Sequence, residues 1–465
     1  MHGRDALFPE YGQLVDVENR LTERLGKARR NYANRNATAS IPTSGWLDEL
    51  KSKQFNDPEG LEPLMEWVID ALDTGIVQMT HPGCLGLFNP SPTFAAECGD
   101  RIASAFNPQI CVYSHAPAAV EIEQHVINVV AHRVGLADGA GGHFTSGGAE
   151  ANATALLCAL QAKCPDYGDR GLSQFDGQPT VYVSNESHLA WLKIAHSTGI
   201  GRKAVRLVAT DGMGQMDADQ LEARINEDTK GGCIPVLIAA TAGTTNAGMI
   251  DPLKPCHALA QSNDMWFHVD AAWGGALIAS PESQSVLDGI EQADSVTIDA
   301  HKWFATTMGS GMFLTSRPDI PAQVFRVSAS YMPESETSKD FYVNSNQWSR
   351  RFVGLRLFLA LGSAGWEGYA EHVDRSVRLS KRLAKNLIKH GWTQVNDSPM
   401  AVICMVPPEG PDAVQSYVER TCKDGRFWIS KAIFEGDPVV RACITNGRTD
   451  EKIIDLLSEI LTTAI

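Results

Sequence analysis

The chain has 465 residues, a formal net charge of −15, 43% hydrophobic residues and 20% charged residues. This composition is typical of a globular protein with a large core, and the length favours more than one lobe. The excess of acidic residues argues against nucleic acid as a partner, because a phosphate backbone requires a basic surface. No stretch approaches the roughly 18 consecutive apolar residues of a membrane span, and the start lacks the apolar region of a secretory signal.

The ten cysteines are scattered along the chain, with no CxxC pair and no Cys/His cluster at zinc spacing. We therefore expect reduced, mostly buried cysteines and no metal site. Together with the missing secretory and membrane signals, this pattern favours a cytoplasmic enzyme.

The first 75 residues have the apolar periodicity of helices and contain no catalytic constellation. Large apolar side chains recur at helical spacing in Leu47–Leu72. We predict that residues 1–75 form a helical segment that docks on a second subunit. Further on, a helix is predicted over Ala116–Leu136, entered through Pro117.

From about residue 140 to 320, short β-rich runs alternate with helical patterns or turns. This rhythm predicts a parallel or mixed sheet that helices cover on both faces. The predicted strands are Thr180–Val183, Val205–Val208, Val236–Thr241, Met265–Val269, Ser295–Ile298 and Met312–Thr315. We assign residues 76–345 to this large domain, with a mobile connection, rich in proline and polar residues, at 317–347.

Residues 346–465 predict a smaller α+β domain. Helical patterns come first, β-rich runs follow, and a helical pattern ends the chain. The predicted elements are helices Arg351–Ala364 and His372–His390, strands Thr393–Val406 and Val439–Thr445, and helix Glu451–Leu461.

A lysine follows one of the predicted buried strands. The run Ser295–Ile298 ends in a polar turn that carries His301 and Lys302. Open α/β sheets place ligands at the carboxyl ends of their strands. A lysine amine at such a position loses its proton more readily than in water, and the neutral amine attacks aldehydes. Lys302 is therefore a candidate nucleophile, although a lysine after a strand is more often a plain surface residue.

An anion site is predicted where glycines open an alanine-rich helix, at Gly147, Gly148 and Ala149. Glycines at a helix start bring free backbone N–H groups close to a phosphate, and the helix dipole adds attraction. The spacing matches neither a Walker loop nor a Rossmann fingerprint. A plain loop-to-helix turn is the commoner meaning of such a motif.

Further polar side chains follow other predicted strands. Asp270 ends an apolar strand, and small residues such as Ala272 follow it, so a carboxylate there can pair with a protonated ring nitrogen and leave room for a flat ring. His188 can stack on a planar ring, and Thr244 supplies a hydroxyl. Each of these residues alone is more often structural. Strand ends of one sheet share an edge, however, so these side chains can converge with Lys302.

In order and approximate spacing, these motifs resemble group II pyridoxal phosphate-dependent amino-acid decarboxylases. This family includes aromatic amino-acid, histidine, glutamate and cysteine-sulfinate decarboxylases, and the similarity runs from about His81 to the C-terminus. The matching segments are Thr145–Asn152, His188, Ala240–Thr245, His268–Ala272 and Asp299–Trp303. The resemblance implies fold type I, like aspartate aminotransferase, with a mixed, mostly parallel seven-stranded sheet domain and a small C-terminal α+β domain. It also implies pyridoxal 5′-phosphate (PLP) as cofactor and a homodimer with shared active sites.

The resemblance also implies a role for each matching residue. Lys302 binds the cofactor aldehyde covalently, Asp270 pairs with the pyridine nitrogen, and His188 stacks on the ring. Ser328–Met332 resembles the family's catalytic loop, in which a tyrosine, here Tyr331, protonates the carbon that has lost CO2. The implied cofactor-binding residues are Gly147, Gly148, Ala149, His188, Thr244, Asp270, Ala272, His301 and Lys302.

The substrate remains open between two classes. Resemblance places Leu85, Phe88 and Tyr113 at the substrate pocket, and these side chains favour an aromatic or bulky L-amino acid. An acidic substrate is the alternative, because Arg350 could receive it or anchor the site. Many aromatic-specific members have asparagine where Asp299 stands. Because a carboxylate repels a phosphate, we expect Asp299 to face elsewhere or to pair with a cation.

Two other classes of function stay open beside decarboxylation of an L-amino acid to its amine. One is a different fold type I PLP enzyme, such as an aminotransferase, an aldehyde synthase or a lyase. A desulfurase needs a reactive cysteine on a mobile loop, and 317–347 has none; Arg441 is available for the α-carboxylate of an aminotransferase substrate. The other is a non-enzymatic scaffold, against which the intact set of Lys302, Asp270 and His188 argues.

Overall fold

Seven strands form one sheet in the computed structural model, which describes residues 7–327 and 339–463. The strands are β1 Gly141–Thr145, β2 Pro179–Ser184, β3 Val205–Val208, β4 Ile234–Thr241, β5 Trp266–Asp270, β6 Ser295–Asp299 and β7 Gly311–Thr315. Their order is β1-β7-β6-β5-β4-β2-β3, with β7 antiparallel to both neighbours and the other pairs parallel. The predicted mixed, mostly parallel seven-stranded sheet is confirmed.

The middle strands are buried along their whole length because helices cover both faces of the sheet. Strands β2, β5 and β6 bury every residue, as expected for parallel strands of an α/β protein. The six strands predicted from the sequence all occur, with ends that differ by at most two residues. The carboxyl ends of β2, β4, β5 and β6 therefore lie along one edge.

Strand β1 was not predicted, because its glycines are typical of a loop. Gly142 lies opposite Leu314 in the antiparallel pairing with β7. Its φ is +149°, and a Cβ atom there would lie 2.0 Å from the carbonyl oxygen of Phe313. Only glycine permits this close approach of the two backbones.

The helices surround this sheet and continue into the C-terminal part. They are α1 Tyr11–Arg30, α2 Ser44–Ser52, α3 Leu61–Gly75, α4 Phe94–Phe106, α5 Pro117–Val134, α6 Gly148–Lys163, α7 Tyr167–Arg170, α8 Ala190–Ser197, α9 Ala218–Lys230, α10 Leu253–Ser262, α11 Ile320–Phe325, α12 Phe341–Asn344, α13 Gly354–Ile388, α14 Val414–Lys423 and α15 Glu451–Thr462. Helix α5 confirms the helix predicted from Pro117. It ends at Gly135, whose φ of 91° suits the left-handed C-cap.

The predicted N-terminal helical pattern is interrupted. The apolar run from Leu47 to Leu72 belongs to two helices, α2 and α3, because residues 53–60 include Gly60 at a φ of +84°. Within the described part of the chain, neither α1 nor α3 buries a residue. No helix over 7–327 or 339–463 is long and apolar enough to cross a membrane.

A second, antiparallel sheet lies in the C-terminal part. Its strands are β8 Thr393–Gln394, β9 Val402–Val406, β10 Ser430–Phe434 and β11 Asp437–Cys443, in the order β10-β11-β9-β8. The single strand predicted over Thr393–Val406 is wrong, because Asn396 bonds the backbone of Ala247, Val402 and Cys404 and so holds a turn between β8 and β9. The two helices predicted over 351–390 are confirmed as two helical segments of α13, which are separated by a break at Gly365, where φ is 65° and ψ is 175°.

Candidate active site

The predicted nucleophile and the predicted ring partner lie at the same edge of the large sheet. Asp270 is the last residue of β5, and it pairs with Thr241 of β4 on one side and Thr297 of β6 on the other. Lys302 follows β6 by three residues. The topology of the parallel strands therefore brings together side chains that are far apart in the sequence.

The carboxylate of Asp270 is buried and held by two N–H donors. Asn152 Nδ2 donates to its Oδ2 at 2.7 Å, and the backbone N–H of Ala272 donates to its Oδ1 at 3.2 Å. Only 5% of Asp270 is exposed. Since both oxygens are held, the carboxylate has one orientation at the strand end.

Lys302 is paired with the carboxylate of Asp299. Its Nζ lies 2.9 Å from Asp299 Oδ2, and its side chain is 20% exposed whereas that of Asp299 is 3% exposed. The expectation that Asp299 pairs with a cation is confirmed. His301 lies next to the same carboxylate, with Nε2 3.9 Å from Asp299 Oδ2, and burial is the main cause that lowers the pKa of this imidazole.

The predicted anion site opens at the start of α6, beside this ion pair. Among the described residues, the backbone N–H groups of Gly148 and Ala149 have no acceptor. A Cβ atom at Gly148 would lie 3.0 Å from Asp299 Oδ2, and one at Gly147 would lie 3.5 Å from His301 Cε1. The glycines therefore leave space, and the helix start leaves donors, for an anion.

His188 lies in the loop after β2, and this loop is tied to the end of β4. The His188 ring is exposed, and its Nδ1 accepts a hydrogen bond from the backbone N–H of Ala190 at 3.1 Å. The neighbouring Ser187 hydroxyl lies 2.8 Å from the Thr241 hydroxyl. Asp251 in turn accepts the backbone N–H of Thr241 at 2.7 Å, and burial raises the pKa of Asp251 to about 7.

Thr244 is buried, whereas Ala272 is half-buried. The Thr244 side chain is fully buried, and its Oγ1 accepts the backbone N–H of Met249 at 3.0 Å, which stabilises the turn after β4. The Ala272 methyl lies 3.4 Å from the position of a Cβ atom at Gly148. Ala272 therefore borders the anion site directly, whereas the Thr244 hydroxyl is engaged in the turn.

Two of the predicted substrate residues have a different place from the one expected. The Leu85 side chain is fully buried in the apolar core of the C-terminal part, where its carbonyl accepts the backbone N–H of Cys443 at 2.7 Å. The Arg350 guanidinium forms a buried ion pair with Glu123, with side-chain exposures of 4% and 0%. Both side chains are enclosed by tertiary neighbours, and among the described residues Arg350 Nε and Nη1 have no hydrogen-bond partner.

Phe88 is buried against another aromatic ring, whereas Tyr113 is half-buried and contacts acidic side chains. The Phe88 ring stacks on Trp273, with centroids 4.6 Å apart and planes 22° apart. The Tyr113 hydroxyl lies 3.1 Å from Glu121 Oε1, and the Tyr113 backbone N–H donates to Asp340 Oδ1 at 2.6 Å. Tyr331 lies outside the described residues.

Arg441, which the sequence left available for a carboxylate, has two of its three guanidinium nitrogens bonded to backbone carbonyls. Its Nη1 donates to the carbonyl of Thr245 at 2.8 Å and its Nη2 to that of Gly86 at 2.7 Å. Its guanidinium lies over the Phe88 ring at 5.1 Å. No carboxylate in the described ranges pairs with Arg441, and its Nε is buried without a partner.

Two polar residues that are linked to Asp270 by hydrogen bonds were not predicted from the sequence. Asn152 lies one turn into α6, and His268 lies two positions before Asp270 on the same face of β5. The signal in the sequence was that each is a polar side chain in a motif that had already been identified: Asn152 lies on an alanine-rich helix, and His268 lies on a buried strand.

The chain resembles characterised proteins over most of its length. The family model described as pyridoxal-dependent decarboxylase conserved domain matches residues 46–405. Acidic amino acid decarboxylase GADL1 of Bos taurus is 33% identical over 352 residues, which are 72% of this chain and 67% of that protein. Tyrosine decarboxylase 2 of Narcissus pseudonarcissus is 26% identical over 431 residues, which are 88% and 85% of the two chains. The crystal structure of mouse CSAD in apo form has a TM-score of 0.88 at 26% identity and covers 97% of this chain and 100% of that one.

The donor set fits a cofactor with a phosphate, an aldehyde and a ring nitrogen. The free N–H groups at the start of α6 suit the phosphate, the amine of Lys302 suits the aldehyde, and the oriented carboxylate of Asp270 suits a protonated pyridine. The family match spans more than half of the chain. The chain therefore belongs to the pyridoxal-dependent decarboxylases, as a group II amino-acid carboxy-lyase of fold type I with pyridoxal 5′-phosphate as its cofactor.

Proposed function

We propose that the chain removes the α-carboxyl group of an aromatic or other bulky L-amino acid, releasing CO2 and the amine. When bound, PLP supplies the electron sink for the pair of electrons that CO2 leaves behind. The observation that carries the proposal is the placement of Lys302 and Asp270 at one sheet edge, with the N–H groups of Gly148 and Ala149 beside them.

Each residue of the site then has a defined task. Lys302 would hold the cofactor aldehyde, and Asp270 would keep the pyridine nitrogen protonated by opposite charge. His188 would contact the cofactor ring. Tyr331 would supply the proton to the α-carbon. The remaining cofactor contacts in this proposal are Gly147, Gly148, Ala149, Thr244, Ala272 and His301.

A buried aromatic pair supports the choice of substrate class. Phe88 and Trp273 are stacked and only 5% and 2% exposed, and Trp273 follows Asp270 by three residues. Aromatic residues behind a pocket wall favour apolar and aromatic ligands. Arg350 does not offer a positive charge to an acidic side chain, because Glu123 neutralises it in the interior.

The second candidate is an acidic L-amino acid. Arg441 has no carboxylate partner in the described ranges and keeps an unpaired Nε beside Phe88. A relative with 33% identity is named as an acidic amino acid decarboxylase. An uncompensated guanidinium near the site supports this alternative, because a buried cation is stabilised by an anionic ligand.

Release of CO2 from a panel of substrates separates the two classes. The panel contains the twenty L-amino acids, hydroxylated aromatic derivatives, cysteine sulfinate and 2,4-diaminobutyrate, and Lys302→Ala serves as the inactive control. We expect the highest kcat/KM with an aromatic substrate, and we expect Phe88→Leu to lower it about fivefold, because an aromatic contact contributes about 1 kcal/mol. Phe106→Leu, at an exposed position, is the matched control. A clear preference for glutamate, aspartate or cysteine sulfinate would establish the alternative.

We also propose that residues 1–75 form a dimerisation segment, followed by a large PLP-binding domain over 76–345 and a small domain over 346–465. The support is the exposed apolar surface of the N-terminal helices, which bury no residue of their own. Its exposed residues include Tyr11, Leu14, Leu47, Leu50, Leu61, Val68 and Leu72. We expect a dimer by sedimentation equilibrium, and dissociation of that dimer by Leu61→Ser combined with Val68→Ser.

Leu207→Ser is the matched control for dimerisation, since Leu207 is an exposed leucine on the edge strand β3. A monodisperse, fully active monomer of the unmodified chain would contradict the dimer. We further infer a cytoplasmic location, supported by all ten cysteines being free in the structure.

A further inference from the structure

A continuous row of buried polar groups lies behind Asp270. The Trp266 indole Nε1 donates to the Ser295 hydroxyl at 2.8 Å, and this hydroxyl lies 2.8 Å from His268 Nδ1. His268 Nε2 lies 3.0 Å from Asn152 Oδ1, and Asn152 Nδ2 lies 2.7 Å from Asp270 Oδ2. Five side chains from β5, β6 and α6 are therefore joined end to end by hydrogen bonds.

The charged carboxylate fixes the direction of the row. A carboxylate can only accept, so the amide N–H of Asn152 donates to Asp270 and its Oδ1 accepts from His268 Nε2–H. The neutral His268 ring then accepts at Nδ1 from the Ser295 hydroxyl, whose oxygen accepts from the Trp266 indole N–H. Every donor in the row points toward the carboxylate.

The opposite direction requires a different charge on Asp270. If that carboxyl group were protonated, Asn152 could reverse its amide and accept from it. His268 would then carry its proton on Nδ1 and donate to Ser295, whose oxygen can accept from both Trp266 and His268. The tautomer of His268 therefore reports the charge of Asp270: a proton on Nε2 belongs to the charged carboxylate, and a proton on Nδ1 belongs to the protonated acid.

Burial keeps the row free of competing water. The exposed fractions are 0% for His268 and Ser295, 2% for Asn152, 3% for Trp266 and 5% for Asp270. Burial also lowers the pKa of His268 to about 4, so the ring remains neutral and keeps a single proton. The nearest alternative partner of His268 Nε2 is the Thr297 hydroxyl at 3.4 Å, which is longer than the bond to Asn152.

We propose that Asn152 and His268 are positioning residues that hold Asp270 as a charged, oriented partner for the pyridine nitrogen, in a row of hydrogen bonds that continues through Ser295 to Trp266. This inference rests on the proposed role of Asp270. Hydrogen bonds donated to a carboxylate favour its charged form, and a buried chain of them strengthens each member. Through Asp270, the row would thus connect the protonation of the cofactor ring nitrogen to residues farther from the cofactor.

The first test is the protonation of the pyridine nitrogen, measured by ¹⁵N NMR of the holoenzyme loaded with ¹⁵N-labelled PLP. In Asn152→Ala and His268→Phe we expect the signal to move toward that of an unprotonated ring, and the PLP dissociation constant to rise about tenfold or more, since a hydrogen bond to a charged group contributes about 1.5–3 kcal/mol. We expect kcat to fall more than KM changes. His268→Gln should lie between His268→Phe and the parent, because its amide can still donate to Asn152.

Asn396→Ala is the matched control, since Asn396 is also 2% exposed and its side chain bonds only backbone groups around β9. It should lower the melting temperature and leave the ring-nitrogen signal in place. Folded Asn152→Ala and His268→Phe that keep both the ring-nitrogen signal and the PLP affinity would overturn the proposal. Asp270→Ala distinguishes a failure of this proposal from a failure of the proposed site. If the proposed site is wrong, Asp270→Ala also leaves the ring-nitrogen signal and the PLP affinity unchanged.

A second measurement observes His268 in the unmodified protein and uses a variant only to assign its signals. In the apoenzyme with ¹⁵N-labelled histidine, the signals of His268 are assigned by their loss in His268→Gln. We expect the neutral tautomer with the proton on Nε2 from pH 6 to 8. A proton on Nδ1, or titration of His268 near pH 6.5, would overturn the proposed direction of the row.

Discussion

The amine of Lys302 and the carboxylate of Asp299 form an ion pair at 2.9 Å, directly beside the start of α6. The second oxygen of this carboxylate, Oδ1, is buried without a hydrogen-bond partner. The first lies where a Cβ atom of Gly148 would meet it at 3.0 Å. The same carboxylate therefore balances the positive charge of Lys302 and also borders the site proposed for the cofactor phosphate.

Replacing Asp299 with asparagine should strengthen PLP binding. A carboxylate next to an anion site repels the phosphate, and asparagine has nearly the same shape without the charge. We expect the PLP dissociation constant of Asp299→Asn to fall about three- to tenfold, as a change of about 1 kcal/mol in a screened repulsion would produce. Equilibrium titration of the apoenzyme with PLP measures this. Weaker binding in Asp299→Asn would instead make the carboxylate a supporting contact of the cofactor.

Removing the amine of Lys302 should abolish covalent cofactor attachment. We expect Lys302→Ala to lose turnover and the visible absorbance of bound PLP, because the Lys302 amine lies at this sheet edge, 2.9 Å from Asp299 Oδ2, where the cofactor aldehyde is proposed to bind. Borohydride treatment of the parent, followed by peptide mass spectrometry, should place the pyridoxyl group on residue 302. Lys254→Ala, which removes an exposed lysine, is the control. Pyridoxylation at a different lysine would reject the assignment.

Breaking the buried pair between Arg350 and Glu123 should cost stability. Arg350→Met leaves the Glu123 carboxylate buried with only the backbone N–H of Gly354 as donor, at 3.0 Å. We expect a loss of about 3–5 kcal/mol in the free energy of unfolding, most of which returns in Arg350→Met combined with Glu123→Leu. Urea unfolding measures both. Arg382→Met, which breaks a surface pair with Asp455, should have a much smaller effect.

The same pair of experiments tests the role of Arg350 in the site. If the double variant regains stability and keeps the KM of the preferred substrate, Arg350 is structural, as its burial indicates. A rise in KM by an order of magnitude in the stable double variant would return Arg350 to the substrate pocket.

His143 should make the protein less stable in acid. Burial lowers the pKa of His143 to about 3, and both ring nitrogens lack partners, whereas an unfolded histidine has a pKa of about 6.5. The neutral ring therefore contributes stability that is complete above pH 6.5 and is lost as the pH falls toward 3. We expect His143→Phe to remove about 2 kcal/mol of the stability loss between pH 7 and 5. His390→Gln, at an exposed position, should leave that slope unchanged.

The proton donor proposed from the sequence can be tested by its product. We expect Tyr331→Phe to divert part of the product from the amine to the aldehyde, with consumption of oxygen, because the carbon that has lost CO2 is no longer protonated in time. Product analysis under air and under nitrogen measures the ratio. Tyr11→Phe, at an exposed position near the N-terminus, is the control. An unchanged yield of amine would remove Tyr331 from the mechanism.

The sequence determined six of the seven strands of the large sheet and the identity of the reactive groups. Most of the buried strands are β-rich runs, so their ends are visible without a structure, and Asp270 and Lys302 lie at or within three residues of those ends. These are local features, because strand, turn and helix start are all encoded within a few residues.

Only the tertiary structure decided which side chains are free to act. Arg350 is neutralised by Glu123, 227 positions away, and Asp270 is oriented by Asn152, 118 positions away. Leu85 is enclosed by the C-terminal core rather than presented to a ligand. Partners so far apart in the sequence meet only when the packing of sheet and helices brings them together, and no periodicity or local motif encodes that contact.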